Sequence, residues 1–232
     1  MPGSATHIAV ADRIYSALGS SVIINLPLFF SGNIAPDAVH ARDGYKREDK
    51  RRSHLTVDMP IDSFHDPEKL KIYHERINQF IAEFYDPSDE RRDLYLGYVV
   101  HLLVDELFNV TLRTPLCKLM FMETVPQEEH DFFERVMQDI DSIDKLILRN
   151  YAYEQNVAEV LEVVWDYEIP GYVSIEEINK SKRGTIGRRF KREQPEVHLK
   201  YFSYQDALNF IGYAADNIIS MLSSKSGITK IL

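Results

Sequence analysis

Between Leu94 and Asn109 the chain reads LYLGYVVHLLVDELFN. Nearly every position is apolar, and the apolar residues do not alternate with polar ones. A run of this kind is a helix buried on most of its faces, so the rest of the chain must wrap around it. Two polar residues interrupt it, His101 and Asp105, four positions apart and therefore on one face. Left unpaired in a core, each costs ~2–7 kcal/mol. The pair is satisfied either by a mutual hydrogen bond or by a group that both bind.

The surrounding sequence supplies helices to cover it. Thr6 is placed to cap a helix to about Leu18, with His7, Ala11, Ile14 and Leu18 on its inner face. Asp66-Pro67 opens another, striped by Leu70, Tyr73, Ile77, Phe80 and Phe84. A helix from about Pro126 to Asn150 turns Phe133, Val136, Ile140 and Ile147 inward. A shorter one covers about Glu154 to Tyr167. Ser174 to Glu177 is a capping box for a short helix. Ser203 and Asp206 start a last helix to about Leu222. Ser20 to about Asp66, with Pro27, Gly32, Pro36, Gly44 and Pro60, reads as a long loop region in which short helical turns can hide, and KSKRGTIGRRFKR as an exposed, mobile loop. The expectation is an all-α fold, a single multi-helix domain over residues 1–232.

Charge and composition narrow the role. A net charge of −9 argues against a nucleic-acid polymer as the main partner. Cys117 is the single cysteine, which excludes an internal disulfide and a Cys-rich zinc site. The most apolar loop segment, VIINLPLFF, is far short of the ~20 residues that span a bilayer. The start, MPGSATHIAVADRI, lacks a basic segment followed by an apolar run, so a cytoplasmic protein is expected.

Several residues have the chemistry of a metal or phosphate site. His101 and Asp105 offer a nitrogen and a carboxylate from one rigid face, a good pair for a divalent ion. His7 is a second inward imidazole. Asp37 follows the rigid Pro36, and His54 follows a strongly charged run. Arg42 and the run Lys46–Arg52 offer fixed positive charge to a phosphate, and His40 is a candidate substrate contact. The run Lys182 to Arg192 is either a solvated loop or a lid over an anionic substrate. Asp139, Asp141 and Asp144 form an acidic helix face, with Asp144 nearest the inner stripe, and Asp12 reads as a surface residue.

In order, THxxxA at Thr6-His7, GxxAPDxxH at Gly32 to His40, SHxx at Ser53-His54 and GYxxHLxxD at Gly97 to Asp105 resemble the zinc-dependent phospholipase C family, whose fold is shared with single-strand-specific zinc nucleases. The resemblance covers roughly the first half of the chain. It implies a helical fold around up to three zinc ions, with the metal site between the central buried helix and the N-terminal helix. Asp37, His54, His101 and Asp105 would form one four-ligand site, and Asp105 would bridge to a second ion held by His7. His130 and Glu134 stand at the family's closing HxxxE spacing. The implied activity is hydrolysis of a phosphodiester or phosphomonoester by metal-bound hydroxide, with Asp37 and Asp105 central to catalysis, His40 and Arg42 at the substrate, and a small phosphorylated molecule as substrate. Two departures reduce the expected ion count to one or two. Six residues precede His7, where secreted members use their first residue as a ligand, and no histidine follows Asp105 in ELFNVTLRT. Two alternatives remain. One is a non-catalytic helical relative with a partial metal site. The other is an HD-type phosphohydrolase built on His130-Asp131 with His101 and Asp206 or Asp216.

Overall fold

The structure, a computed structural model, describes residues 2–59, 64–113, 126–162, 167–190 and 199–223, with side chains for all of these except 126–133 and 188–190. Among the described residues the chain is all-α. It forms α1 (Ser4–Leu18), α2 (Leu26–Ala38), α3 (Arg47–Ser53), α4 (Pro67–Phe84), α5 (Arg92–Phe108), α6 (Pro126–Asn150), α7 (Val157–Glu162), α8 (Ile175–Phe190) and α9 (Tyr204–Leu222). A π-helical turn, Asn109–Arg113, continues α5. One isolated antiparallel bridge joins Ile169 and Val173. The buried apolar residues join into one continuous core.

α5 is the axis of that core. Every residue from Asp93 to Asp105 is buried, as the unbroken apolar run requires. α2 lies directly across it, and two glycines set the distance. A Cβ on Gly32 would stand 1.9 Å from the Leu94 carbonyl oxygen, and one on Gly97 would stand 2.0 Å from that of Phe29. Only hydrogen fits at either point, so the two backbones pack against each other without intervening side chains.

α2 and α3 replace the long loop expected between Ser20 and Asp66. α2 hides from periodicity because it is buried on all sides, with Leu28 through Pro36 and Ala38 enclosed. Its start is well specified. The Asn25 side chain accepts from Leu28 N–H at 3.1 Å, and Asp93 of α5 accepts from Asn25 N–H at 2.5 Å. Pro36 lies inside the helix, where it lacks the amide that would bond back to Gly32. α3 forms from the charged run, whose Asp49 accepts from Lys46 N–H at 2.7 Å.

Carboxylates remote in sequence settle several other helix ends. α1 starts two residues before Thr6, and its first amides, Ala5 and Thr6 N–H, donate to Asp144 of α6 at 2.8 and 3.2 Å. Asp12 is buried rather than superficial and accepts from Glu154 and Gln155 N–H at 2.9 and 3.0 Å. The basic segment expected as a loop is helical up to Phe190, with Lys182 buried; residues 191–198 lie outside the described ones. Its capping box is present, with Ser174 N–H donating to Glu177 at 2.8 Å, but the helix it opens is long.

Asp139 accepts from three consecutive amides, Lys200, Tyr201 and Phe202, the shortest bond being 2.6 Å. This carboxylate anchors the segment leading into α9. Asp139→Ala orphans those donors and lowers the unfolding free energy by about 2 kcal/mol, in line with ~1–3 kcal/mol for an unsatisfied buried group. Urea titration reads the change, and an unaltered midpoint would show that the anchor is dispensable.

Candidate metal centre

Five polar residues from four elements meet beside α5: His7 of α1, Asp37 of α2, His54 at the end of α3, and His101 and Asp105 of α5. All but Asp37 are at most 2 % exposed. Two combinations bring one ligand atom from each member within 4.8 Å of the others: His7, His101 and Asp105, and Asp37, His54 and His101.

The imidazoles are oriented from behind. His101 Nδ1 lies 2.7 Å from the Asn33 carbonyl of α2, and His54 Nδ1 lies 2.9 Å from the Lys50 carbonyl. A carbonyl only accepts, so each Nδ1 carries the proton and each Nε2 is a bare lone pair; the tautomers are assigned from these partners. Yet the two Nε2 atoms face each other at 3.3 Å. Around His54 Nε2 stand two further acceptors, Asp37 Oδ1 at 3.3 Å and Asp105 Oδ2 at 3.4 Å. His101 Nε2 is 3.7 Å from the same Asp105 oxygen. The other oxygen of Asp105 faces His7 Nε2 at 3.3 Å. His7 and His101 stack with ring centroids 3.7 Å apart and 5° between planes.

Hydrogen bonding does not account for this cluster. Both nitrogens of His7 and both oxygens of Asp105 are buried without a hydrogen-bond partner. A cation bound among these atoms would account for it. Ligand atoms bonded at about 2.0–2.1 Å to a tetrahedral ion are separated by about 3.3–3.4 Å. The Nε2–Nε2 and the two Nε2–carboxylate separations at His54 have that spacing, and the donor set of two imidazoles and two carboxylates suits zinc. Asp105 offers one oxygen to this set and one to His7. The His7 side is less complete among the described residues.

The electrostatics agree with the geometry. Burial pushes the His101 pKa down to about 3, with His7 adding to it, so this imidazole is neutral. Burial alone would raise Asp105, but the surrounding His7, His101 and His54 hold it well below the usual carboxylate range. Asp37 is held low against the same burial effect, chiefly by Lys50, whose Nζ donates to Asp37 Oδ1 at 2.7 Å. Two ionised carboxylates therefore share the cluster with the neutral His101 imidazole, and Lys50 donates directly to only one of them.

The other candidates fall elsewhere. His40 lies 3.7 Å from Asp37 and 3.3 Å from Lys50 Nζ, which it receives on Nε2, so it braces the lysine. Arg42 is not available to a phosphate. Its guanidinium donates to Asp49 at 2.6 Å, to both oxygens of Glu177 at 2.5 and 3.2 Å, and to the Tyr172 carbonyl at 2.9 Å, tying α3 to α8. Glu134 is exposed on α6 and belongs to neither ligand group. His130 and Asp131 fall outside the described side chains. Asp206 caps α9 through Ser203, and Asp216 is exposed beside Arg13 at 3.9 Å. Neither is grouped with His101. Sequence reading missed the two carbonyls that aim the imidazoles. The four-residue spacing of Lys50 and His54 was a usable signal for one of them.

A cavity of about 520 Å³ opens beside His54, within the usual range for a small-molecule site. Arg47, Lys50 and Arg51 of α3 and Arg113 of the π turn line it, together with apolar Met59 and Phe64. Asn109, the first residue of that turn, donates to the Asp105 carbonyl at 2.7 Å and receives Arg113 at 3.3 Å. Among the described helices none is long and apolar enough to cross a membrane. No family model, curated protein or solved structure matches the chain.

Proposed function

We propose that the chain is a zinc-dependent hydrolase of phosphoric esters, acting on a small phosphorylated substrate that enters the cavity beside His54. The observation that carries the metal is the convergence of His54 Nε2, His101 Nε2, Asp37 Oδ1 and Asp105 Oδ2 at 3.3–3.7 Å with no proton to share between the two nitrogens. The phosphate reading rests on the cations that line the adjoining cavity and on the sequence resemblance to the zinc-dependent phospholipase C family.

In this reading Asp37, His54, His101 and Asp105 hold one ion, and Asp105 with His7 contributes to a second. A metal ion there would supply Lewis-acid polarisation of a phosphoryl oxygen and would lower the pKa of bound water toward neutrality. The protein residues do the rest. The Asn33 and Lys50 carbonyls fix the imidazole planes, which keeps the ligand atoms aimed without rearrangement. Lys50 holds Asp37 in place. His40 and Arg42 act on the scaffold, the first through Lys50 and the second through Glu177.

The test is metal analysis of the full chain purified without tag or chelator, followed by a panel of chromogenic phosphodiesters and phosphomonoesters. Zinc near or above stoichiometry is expected, with turnover that a chelator removes and zinc restores. Substoichiometric metal, unchanged by His101→Ala, overturns the metal centre. Bound zinc with no turnover across the panel favours instead a non-catalytic metal-binding domain, a reading to which the incomplete His7 side lends itself.

A further inference from the structure

We infer that the cavity selects a polyanionic ester, one that carries a second phosphate group besides the one cleaved, and discriminates against zwitterionic head groups. This rests on the hydrolase reading and names its substrate class. The argument comes from how positive charge is distributed around the cavity.

Arg47, Lys50 and Arg51 stand at i, i+3 and i+4 on α3, so they form one stripe, and that stripe faces the cavity. Arg52, the odd member of the run, points toward Gly171 instead. Lys50 is committed to Asp37 at 2.7 Å and so belongs to the metal side. The Arg51 carbonyl accepts from Thr56 N–H at 2.8 Å, but the guanidiniums of Arg47 and Arg51 have no hydrogen-bond or ion-pair partner among the described residues. They flank Lys50 within about one helical turn of 5.4 Å. Arg113 reaches the same cavity from the π turn after α5. Asp141 is the single acidic residue on the described lining.

A phosphate at the metal centre would be met by the ions held there. That leaves two uncommitted guanidiniums beyond it, more charge than one phosphate needs. Guanidinium is a bidentate partner for phosphate, so a second phosphate satisfies both. A quaternary ammonium in the same place would face cations, with no acidic partner besides Asp141. The cavity of about 520 Å³ accommodates a sugar-sized body between two phosphates, and Met59 and Phe64 offer it apolar wall.

The test uses the zinc-loaded full chain. A hexose bisphosphate and the matching hexose monophosphate are titrated by calorimetry into wild type and into the Arg47→Gln, Arg51→Gln double variant, with melting curves to verify folding. The bisphosphate is expected to bind about tenfold more tightly, the order of one charge-assisted contact, and the double variant to lose that ratio. Equal affinities in wild type, or a ratio that survives the substitutions, overturn the inference. A second arm compares turnover of para-nitrophenyl phosphate and para-nitrophenyl phosphorylcholine. Preference for the zwitterion overturns the inference while leaving the hydrolase reading intact. Selective bisphosphate binding by protein that takes up no zinc overturns the hydrolase reading and leaves the cavity's charge selectivity standing.

Discussion

Asp105→Asn abolishes the stabilisation that zinc gives to wild type. Asp105 turns one oxygen toward His54 and the other toward His7, and both oxygens are buried without a hydrogen-bond partner. Asparagine is nearly isosteric but carries no charge, so it removes the carboxylate shared by the two halves of the cluster. With zinc at about a hundredfold its dissociation constant, wild type gains about 2.7 kcal/mol and the variant gains nothing. For a chain of this length that corresponds to roughly 2–4 °C per kcal/mol. In chelator the variant is the less stable protein, because the fold holds the Asp105 carboxyl well below the usual carboxylate range and so favours its charge at neutral pH. Scanning calorimetry with and without chelator reads both arms. A variant that zinc stabilises as much as wild type would mean that Asp105 is not a ligand, and the metal centre would lose its bridge.

Gly97→Ala unfolds the joint between α2 and α5 and costs about 3 kcal/mol or more, at the upper end of overpacking effects. The added methyl would stand 2.0 Å from the Phe29 carbonyl oxygen and 2.8 Å from Asn33 N. These are backbone atoms of a buried helix, so no side chain can rotate aside, and α2 itself must shift. The helix-propensity gain of roughly 1 kcal/mol does not offset this. The shift also reaches the cluster, because α2 carries Asp37 and the Asn33 carbonyl that orients His101. Zinc retention should therefore fall together with stability in urea titrations. Gly184→Ala is the control: nothing lies within 4 Å of its added methyl, and α8 should gain from alanine there. If Gly97→Ala behaved like the control, the close approach of the two helices would be wrong.

Much of this was legible in the sequence, and for identifiable reasons. The apolar run around His101 shows a buried helix because nothing else hides so many large side chains. The stripe from Leu70 to Phe84 becomes α4, with Tyr73, Ile77 and Phe80 buried, because one of its faces remains in water and leaves a period to read. α2 was missed for the converse reason. Enclosed on all sides, it has no polar face and hence no period, and its glycine and prolines imitate a loop. Asp12 looks like a surface carboxylate in the sequence because its partners, the amides of Glu154 and Gln155, lie far along the chain. Arg42 resembles a phosphate contact in the sequence for the same reason, its main partner Glu177 being 135 positions away.

The sequence by itself determined that His101 and Asp105 share one face of a buried helix, since the helical period places residues four apart side by side whatever surrounds them. It also turned His7 inward, through the apolar face shared with Ala11, Ile14 and Leu18, while a common centre for these imidazoles and carboxylates was implied only by a family resemblance. Only the tertiary structure decided how these groups face one another. The Gly32–Gly97 approach brings the Asn33 carbonyl to His101 Nδ1, which leaves the Nε2 lone pairs of His101 and His54 opposed at 3.3 Å, and it splits the oxygens of Asp105 between His54 and His7. Those relations join residues remote in sequence through backbone contact between helices, and no local periodicity encodes the distance at which two helices cross.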